Sequence, residues 1–144
     1  MSVRVTRTAK ASWQGDLAEG GGRIGVGSGA YEGPYSFTSR FESGTGTNPE
    51  ELLGAAHAGC YSMALAHALS SAGHAVTSVE TTATVHLNKV GDGFSITGID
   101  LVTRGKAAGL SADQFKKFAD DTKQGCIVSR ALSAVPMTVD AQLA

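Results

Sequence analysis

Hydrophobic and polar positions along the chain follow two rhythms, and their order predicts the elements. Residues 3–9 alternate and are rich in β-branched types, which reads as a strand, and 12–16 follow as a second short strand or a turn. Residues 23–26 form another short strand, and Gly33-Pro34 marks a turn. Residues 35–41 alternate again, with Tyr35, Phe37, Ser39 and Phe41 on one face and Arg40 on the other. A meander of three or four strands thus precedes residues 47–73, where the pattern changes to a long helix. Asn48 suits its N-cap, Pro49 its first position, Glu50 and Glu51 the positive end of its dipole, and Gly73 its stop. Beyond it, 75–90 and 94–104 read as two strands around a tight Gly91-Asp92-Gly93 turn, a hairpin. Ser111 and Gln114 open a capping box for a helix over 112–124, whose stripe is Phe115, Phe118 and Ala119. A further short helix is expected over 127–132 and a last strand over 136–143. Strands, long helix, hairpin, shorter helix and strand define an α+β fold with an antiparallel β-sheet. No linker or repeat interrupts the order, so a single domain over 1–144 is expected.

The long helix carries no charge from Leu52 to Leu69. A helix that is apolar nearly all round requires cover on nearly all sides. A single five- or six-stranded sheet covers one side only. Gly54, Ala55, Ala58 and Gly59 are small enough for another backbone to approach, and a second copy of the same helix is the simplest cover. A homodimer with long buried central helices is the expectation.

Composition narrows the function. Net charge is −1, which gives no electrostatic basis for binding nucleic acid or an anionic membrane. The uncharged 52–69 stretch has the length of a membrane span, but Ala, Gly, His and Ser dominate it, and no membrane span is expected. The first residues lack a continuous apolar core of a signal segment, so a cytoplasmic protein is expected. Gly20-Gly21-Gly22-Arg23-Ile24-Gly25 matches Gly-x-Gly-x-x-Gly by letter, yet no buried parallel strand precedes it and no helix follows. A hairpin loop with glycines at positive φ is the favoured reading.

Two cysteines, Cys60 and Cys126, lie 66 residues apart. Without Cys-x-x-Cys or His-x-x-x-His spacing, a zinc site with His57 has no support, and no cofactor is expected. Each cysteine alone reads as a small buried hydrophobe. Together they are the minimum set for attack on a peroxide followed by disulfide resolution. A thiolate there requires a cation. Arg40, opposite an aromatic face, is the preferred candidate, and Glu50 is placed to orient it by a bidentate pair. Ten helical residues, roughly 15 Å, separate Glu50 from Cys60, so one site using both would draw on two subunits. His57 shares a helical face with Cys60, and a Cys–His nucleophile for acyl transfer is a rival chemistry. It lacks an oxyanion donor and a third member, and an interior, satisfied histidine is the preferred reading of His57.

Residues 46–65, Gly-Thr-Asn-Pro-Glu-Glu-Leu-Leu-Gly-Ala-Ala-His-Ala-Gly-Cys-Tyr-Ser-Met-Ala-Leu, and 125–132, Gly-Cys-Ile-Val-Ser-Arg-Ala-Leu, closely resemble the OsmC/Ohr family of thiol-dependent hydroperoxide reductases. The likeness runs from Ala11 to the last strand. Residues 37–42 and Ala55-Ala56-His57-Ala58 resemble the osmotically inducible (OsmC) branch rather than the organic-hydroperoxide-resistance (Ohr) branch. The resemblance implies an intertwined homodimer with the OsmC-like fold and two interfacial active sites. It implies that Cys60 is the peroxidatic thiolate, that Cys126 resolves its sulfenic acid as a disulfide, and that Glu50 pairs with the activating arginine. In the Ohr branch that arginine corresponds to Arg23, in the OsmC branch to Arg40, which is preferred here. Many relatives carry Pro after the second cysteine, and Ile127 departs from this.

The expected function is reduction of organic hydroperoxides, with hydrogen peroxide as a secondary substrate, in oxidative or osmotic stress defence. The resemblance implies a dithiol reductant such as a lipoylated protein. The alternative from another class is a non-catalytic dimeric binding or structural protein with inert buried cysteines.

Overall fold

Packing in the chain follows two compact units, 1–49 and 50–144. The computed structural model describes Ser2 and residues 4–144.

The first unit is an antiparallel sheet, β1 (Ala9–Gln14), β2 (Gly21–Val26) and β3 (Glu32–Tyr35), in that spatial order. The expected strand over 3–9 is displaced. Residues 4–8 are not in a strand, Val3 lies outside the described residues, and pairing begins at Ala9, opposite Val26. Pro34 is a β3 residue opposite Arg23 rather than part of a turn, which an edge strand tolerates. The Gly-x-Gly-x-x-Gly letters do not form a positive-φ loop, since Gly21, Gly22 and Gly25 lie within β2 with extended backbone. Gly22 is required by close approach. A Cβ there would sit 2.1 Å from the Ser12 carbonyl oxygen and 2.6 Å from the Tyr35 ring.

The expected strand over 35–41 is also corrected. Chain direction changes at Ser36, and Phe37–Phe41 forms a short helix, α1. Its cause is local. The Ser36 hydroxyl accepts from the Ser39 N–H while the Ser39 hydroxyl accepts from the Ser36 N–H, a reciprocal capping box. Arg40 is therefore a helix residue. The Ser39 hydroxyl also donates to the Thr47 carbonyl at 2.7 Å, fixing the loop that leads to the long helix.

In the second unit that helix is α2 (Pro49–Ser71). It ends where predicted, at Gly73 with φ 91°, with the His74 N–H returning to the Leu69 carbonyl. It packs on a sheet of β4 (Val76–Val90), β5 (Gly93–Ala107) and β6 (Met137–Leu143). β4 and β5 form the expected hairpin, but β6 pairs with β5 in parallel, where an antiparallel sheet was expected. Parallel neighbours require a long crossover, and α3 (Ala112–Gly125) with α4 (Ile127–Ala131) supplies it. Two three-stranded sheets thus replace the single larger sheet.

The core of this unit joins Tyr61, Leu65 and Leu69 of α2 to Ile99 and Leu101 of β5 and to Phe115 and Ala119 of α3. Burial on α2 follows one stripe, Glu50, Gly54, His57, Tyr61, Leu65 and Leu69. Gly54 faces the chain's own β4, with Ala83 O 3.4 Å from its Cβ position. Within one chain, Ala55, Gly59 and Met63 are exposed, Met63 to 77%. Among the described residues no helix is long and apolar enough to cross a membrane.

Candidate active site

Cys60 lies near the middle of α2, and Cys126 lies at the junction of α3 and α4. Folding brings these distant thiols near each other, Cys60 packing against the core cluster that holds Cys126. Two features fix Cys126. The Tyr61 hydroxyl donates to the Ala119 carbonyl at 2.7 Å, locking α2 to the helix that delivers Cys126. Cys126 is also the C-cap of α3, its N–H bonded to the Thr122 carbonyl, and the N-cap of α4. Cys126 is buried, whereas Cys60 is partly exposed, so Cys60 is the sulfur that solvent-borne molecules reach.

Burial pushes the Cys126 thiol up. The backbone N–H of Ser129, the Cys60 thiol, the Ser129 hydroxyl and the N–H of Val128 pull it the other way and hold it below the ordinary thiol range. Val128 and Ser129 belong to the first turn of α4. Burial pushes the Tyr61 phenol well up, with Asp120 and Cys126 adding to the effect, so it stays neutral and serves as a donor.

His57, one turn before Cys60, is fully buried. Its Nε2 lies 2.7 Å from the Ser129 Oγ, while its Nδ1 has no hydrogen-bond partner. Burial lowers its pKa, favouring the neutral ring. Ser129 is the residue that sequence reasoning missed. Its only signal was its place three residues after Cys126, where a short helix was expected.

The two candidate arginines have different settings within the first unit. Arg23 lies 3.4 Å from Glu32 in an exposed β2–β3 ion pair. Arg40, in α1, has its guanidinium carbon 5.3 Å from the Phe41 ring centroid. It lines a cavity of about 420 Å³ with Trp13, Leu17, Tyr35, Phe37 and Phe41. Trp13 and Tyr35 meet edge-to-face there at 5.2 Å, and Phe37 and Phe41 at 5.0 Å. Glu50 is buried in the first turn of α2. Among the described residues no three His, Cys, Asp or Glu side chains gather in a group able to hold a metal ion.

Residues 42–140 match the family model described as OsmC-like protein. The chain is 45% identical over 142 residues to Peroxiredoxin OsmC of Escherichia coli, covering 98% of this chain and 99% of that protein. An OsmC-like protein of unknown function from Vibrio cholerae superposes with a TM-score of 0.74 at 16% identity, covering 96% of this chain and 99% of the other. The organic hydroperoxide resistance protein OhrB of Bacillus subtilis superposes with a TM-score of 0.66 at 24% identity, covering 95% and 98%. These two superpositions establish the mixed α+β fold.

Proposed function

The chain belongs to the OsmC-like protein family, and from that premise we propose that it is a cysteine-based peroxidase that reduces organic hydroperoxides through Cys60 and Cys126. The observation that carries the reading is the proximity of these two thiols, which the sequence separates by a helix end, a hairpin and a further helix. Nearly full-length identity to a peroxiredoxin supports the same chemistry.

The Cys60 thiolate attacks the distal peroxide oxygen. The O–O bond breaks, an alkoxide leaves and is protonated to the alcohol, and Cys60 becomes a sulfenic acid. The partial exposure of Cys60 supports its being the first sulfur to react. Arg40 is the proposed cation for the Cys60 thiolate and the developing alkoxide, oriented by Glu50. The aromatic cavity beside Arg40 suits the hydrocarbon part of an organic hydroperoxide. The Cys126 thiolate then attacks Cys60 Sγ, the S–O bond breaks, water leaves and a disulfide remains. A dithiol reductant, a lipoylated protein being the proposed class, returns both thiols.

The proposed working form is a cytoplasmic homodimer in which the whole chain, 1–144, acts as one OsmC-like unit. The uncharged exposed side of α2, with Ala55, Gly59 and Met63, supports a second copy as its cover. One equivalent of cumene hydroperoxide, followed by intact mass and peptide mapping, tests the reaction. The expected result is loss of two hydrogens mapped to Cys60–Cys126, with trapped sulfenic acid at Cys60 in Cys126→Ser. Two unreactive thiols and an unchanged mass would refute it and favour a dimeric binding or structural protein.

A further inference from the structure

The chain that runs from the end of α3 through α4 to the start of β6 encloses a cavity of about 470 Å³, lined wholly by residues between Lys123 and Met137. Small-molecule sites span about 300–1,000 Å³. Its charged lining is Lys123, in the last turn of α3, and Arg130, in the last turn of α4. Among the described residues no carboxylate lines it, and between Asp121 and Asp140 the chain carries none. We propose that this cavity binds an organic oxyanion, a carboxylate or phosphate ester on a short hydrocarbon chain, held by Lys123 and Arg130.

Neither cation is used elsewhere. Each is favourable near a helix C-terminus, where carbonyl groups carry partial negative charge. Main-chain donors already serve the carbonyls of these turns. Thr122 O accepts from the Cys126 N–H at 2.8 Å, Val128 O from the Leu132 N–H at 2.9 Å and Arg130 O from the Ser133 N–H at 3.3 Å. The earlier lysines of α3 are paired one turn on, Lys116 with Asp120 and Lys117 with Asp121. Asp120, three residues before Lys123, is thus already taken. Among the described residues neither the Lys123 ammonium nor the Arg130 guanidinium has a hydrogen bond or an ion pair. Two like charges face one concave surface without a counter-charge in its lining, and such a cleft concentrates anions.

The rest of the lining selects the kind of anion. An arginine fork matches a carboxylate or phosphate by two parallel bonds, and a lysine adds a point charge. Ser133 adds a hydroxyl with no side-chain hydrogen bond among the described residues. Ser129, also in the lining, is buried with its Oγ 2.7 Å from His57 Nε2, which fixes that part of the wall. Val135 and Met137 are different in character. They pack against the core cluster and give the cavity an apolar side. An inorganic anion would satisfy only the polar side and a neutral alcohol only the apolar one, whereas a hydrocarbon chain bearing an oxyanion satisfies both. The bound anion would bridge α3 and α4 across their shared cap residue, Cys126. Binding itself needs neither thiol and stands apart from the peroxidase reading.

The test is a titration of the full-length reduced chain with sodium octanoate at constant ionic strength, followed by amide NMR. Saturable shifts are expected at residues 123–137. Octanoate should bind about tenfold more tightly than acetate, which lacks the chain, and than octanol, which lacks the charge. Octyl phosphate is titrated alongside, and the tighter of the two octyl anions names the headgroup. Arg130→Gln and Lys123→Gln should each weaken binding about tenfold, with amide spectra outside the cavity unchanged. Shifts centred on Trp13, Phe37 and Phe41 would place the anion in the Arg40 cavity instead and overturn the proposal. So would acetate or octanol binding as tightly as octanoate, or binding that survives both substitutions. Peroxide is absent throughout, so failure of the peroxidase reading would leave these results unchanged.

Discussion

Two adjacent glycines of β2 should respond to alanine in opposite directions. Gly21 has open space where a Cβ would stand, with nothing within 4 Å. Gly22, on the other face, would place its Cβ 2.1 Å from the Ser12 carbonyl oxygen, 2.6 Å from Tyr35 Cε1 and 3.0 Å from Trp13 Cε3. Neither glycine has positive φ, so backbone conformation does not separate them. At Gly21, alanine lowers the entropy of the unfolded chain and should stabilise by about 0.5–1 kcal/mol. At Gly22 the obstacle is a backbone oxygen in the paired β1–β2 ladder, so relief requires the strands to part or the Trp13–Tyr35 pair to break. Overpacking generally costs about 1–3 kcal/mol, and a backbone clash belongs at the upper end. The expected gap between the two variants is therefore about 3–4 kcal/mol. Trp13 is the only tryptophan, so urea unfolding followed by its fluorescence reports on this sheet. Gly22→Ala within about 0.5 kcal/mol of wild type, or both variants shifting the same way, would refute the reasoning.

Tyr61→Phe removes a buried hydroxyl bonded to the Ala119 carbonyl. It should cost about 1 kcal/mol in denaturant unfolding and raise hydrogen exchange in α3. Asp100 accepts from Thr138 at 2.6 Å and lies 2.7 Å from His86 Nε2, and the Thr138 bond, then His86, holds its carboxyl below the ordinary range. Thr138→Val should raise the Asp100 midpoint in an NMR titration, and an unchanged midpoint would contradict the assignment. For His57 the sign is set by burial, which lowers its folded pKa below the unfolded value of about 6.5. The unfolded chain then binds the extra proton first, so stability is full above that value and falls as pH drops toward the folded pKa. Urea midpoints on either side of about pH 6.5 should show that fall, and His57→Gln should flatten it.

Where residues carry their own boundary signals, the fold was legible. Pro49 and Gly73 delimit α2, Ser111 and Gln114 open α3, and Gly91-Asp92-Gly93 turns the β4–β5 hairpin. Alternation misled at 35–41. A helix of five residues is too short to display a 3.6-residue period, and its capping box uses Ser39 where Glu or Gln is the usual signal. Residues 4–8 alternate as well as many strands do, but pairing, not alternation, makes a strand, and β2 pairs with Ala9–Gln14. The direction of β6 is absent from its own residues, because it depends on where the crossover of α3 and α4 delivers the chain. The same applies to the site. Cys60 and Cys126 were legible as residue types, but the contact of His57 with Ser129, 72 residues away, required the fold.

The wide sequence separation of Cys60 and Cys126 gives their chemistry a mechanical side. A bond between them would tie a loop of 66 residues in the unfolded chain, and in the chain-entropy model such a tether disfavours the denatured state by about 4 kcal/mol. That is comparable to a large part of the whole stability of a small domain. Each turnover would then alternate the molecule between a lightly held and a strongly held form. Protease resistance would rise while hydroperoxide is abundant and relax as reductant recovers, making the lifetime of the protein a record of recent oxidant exposure.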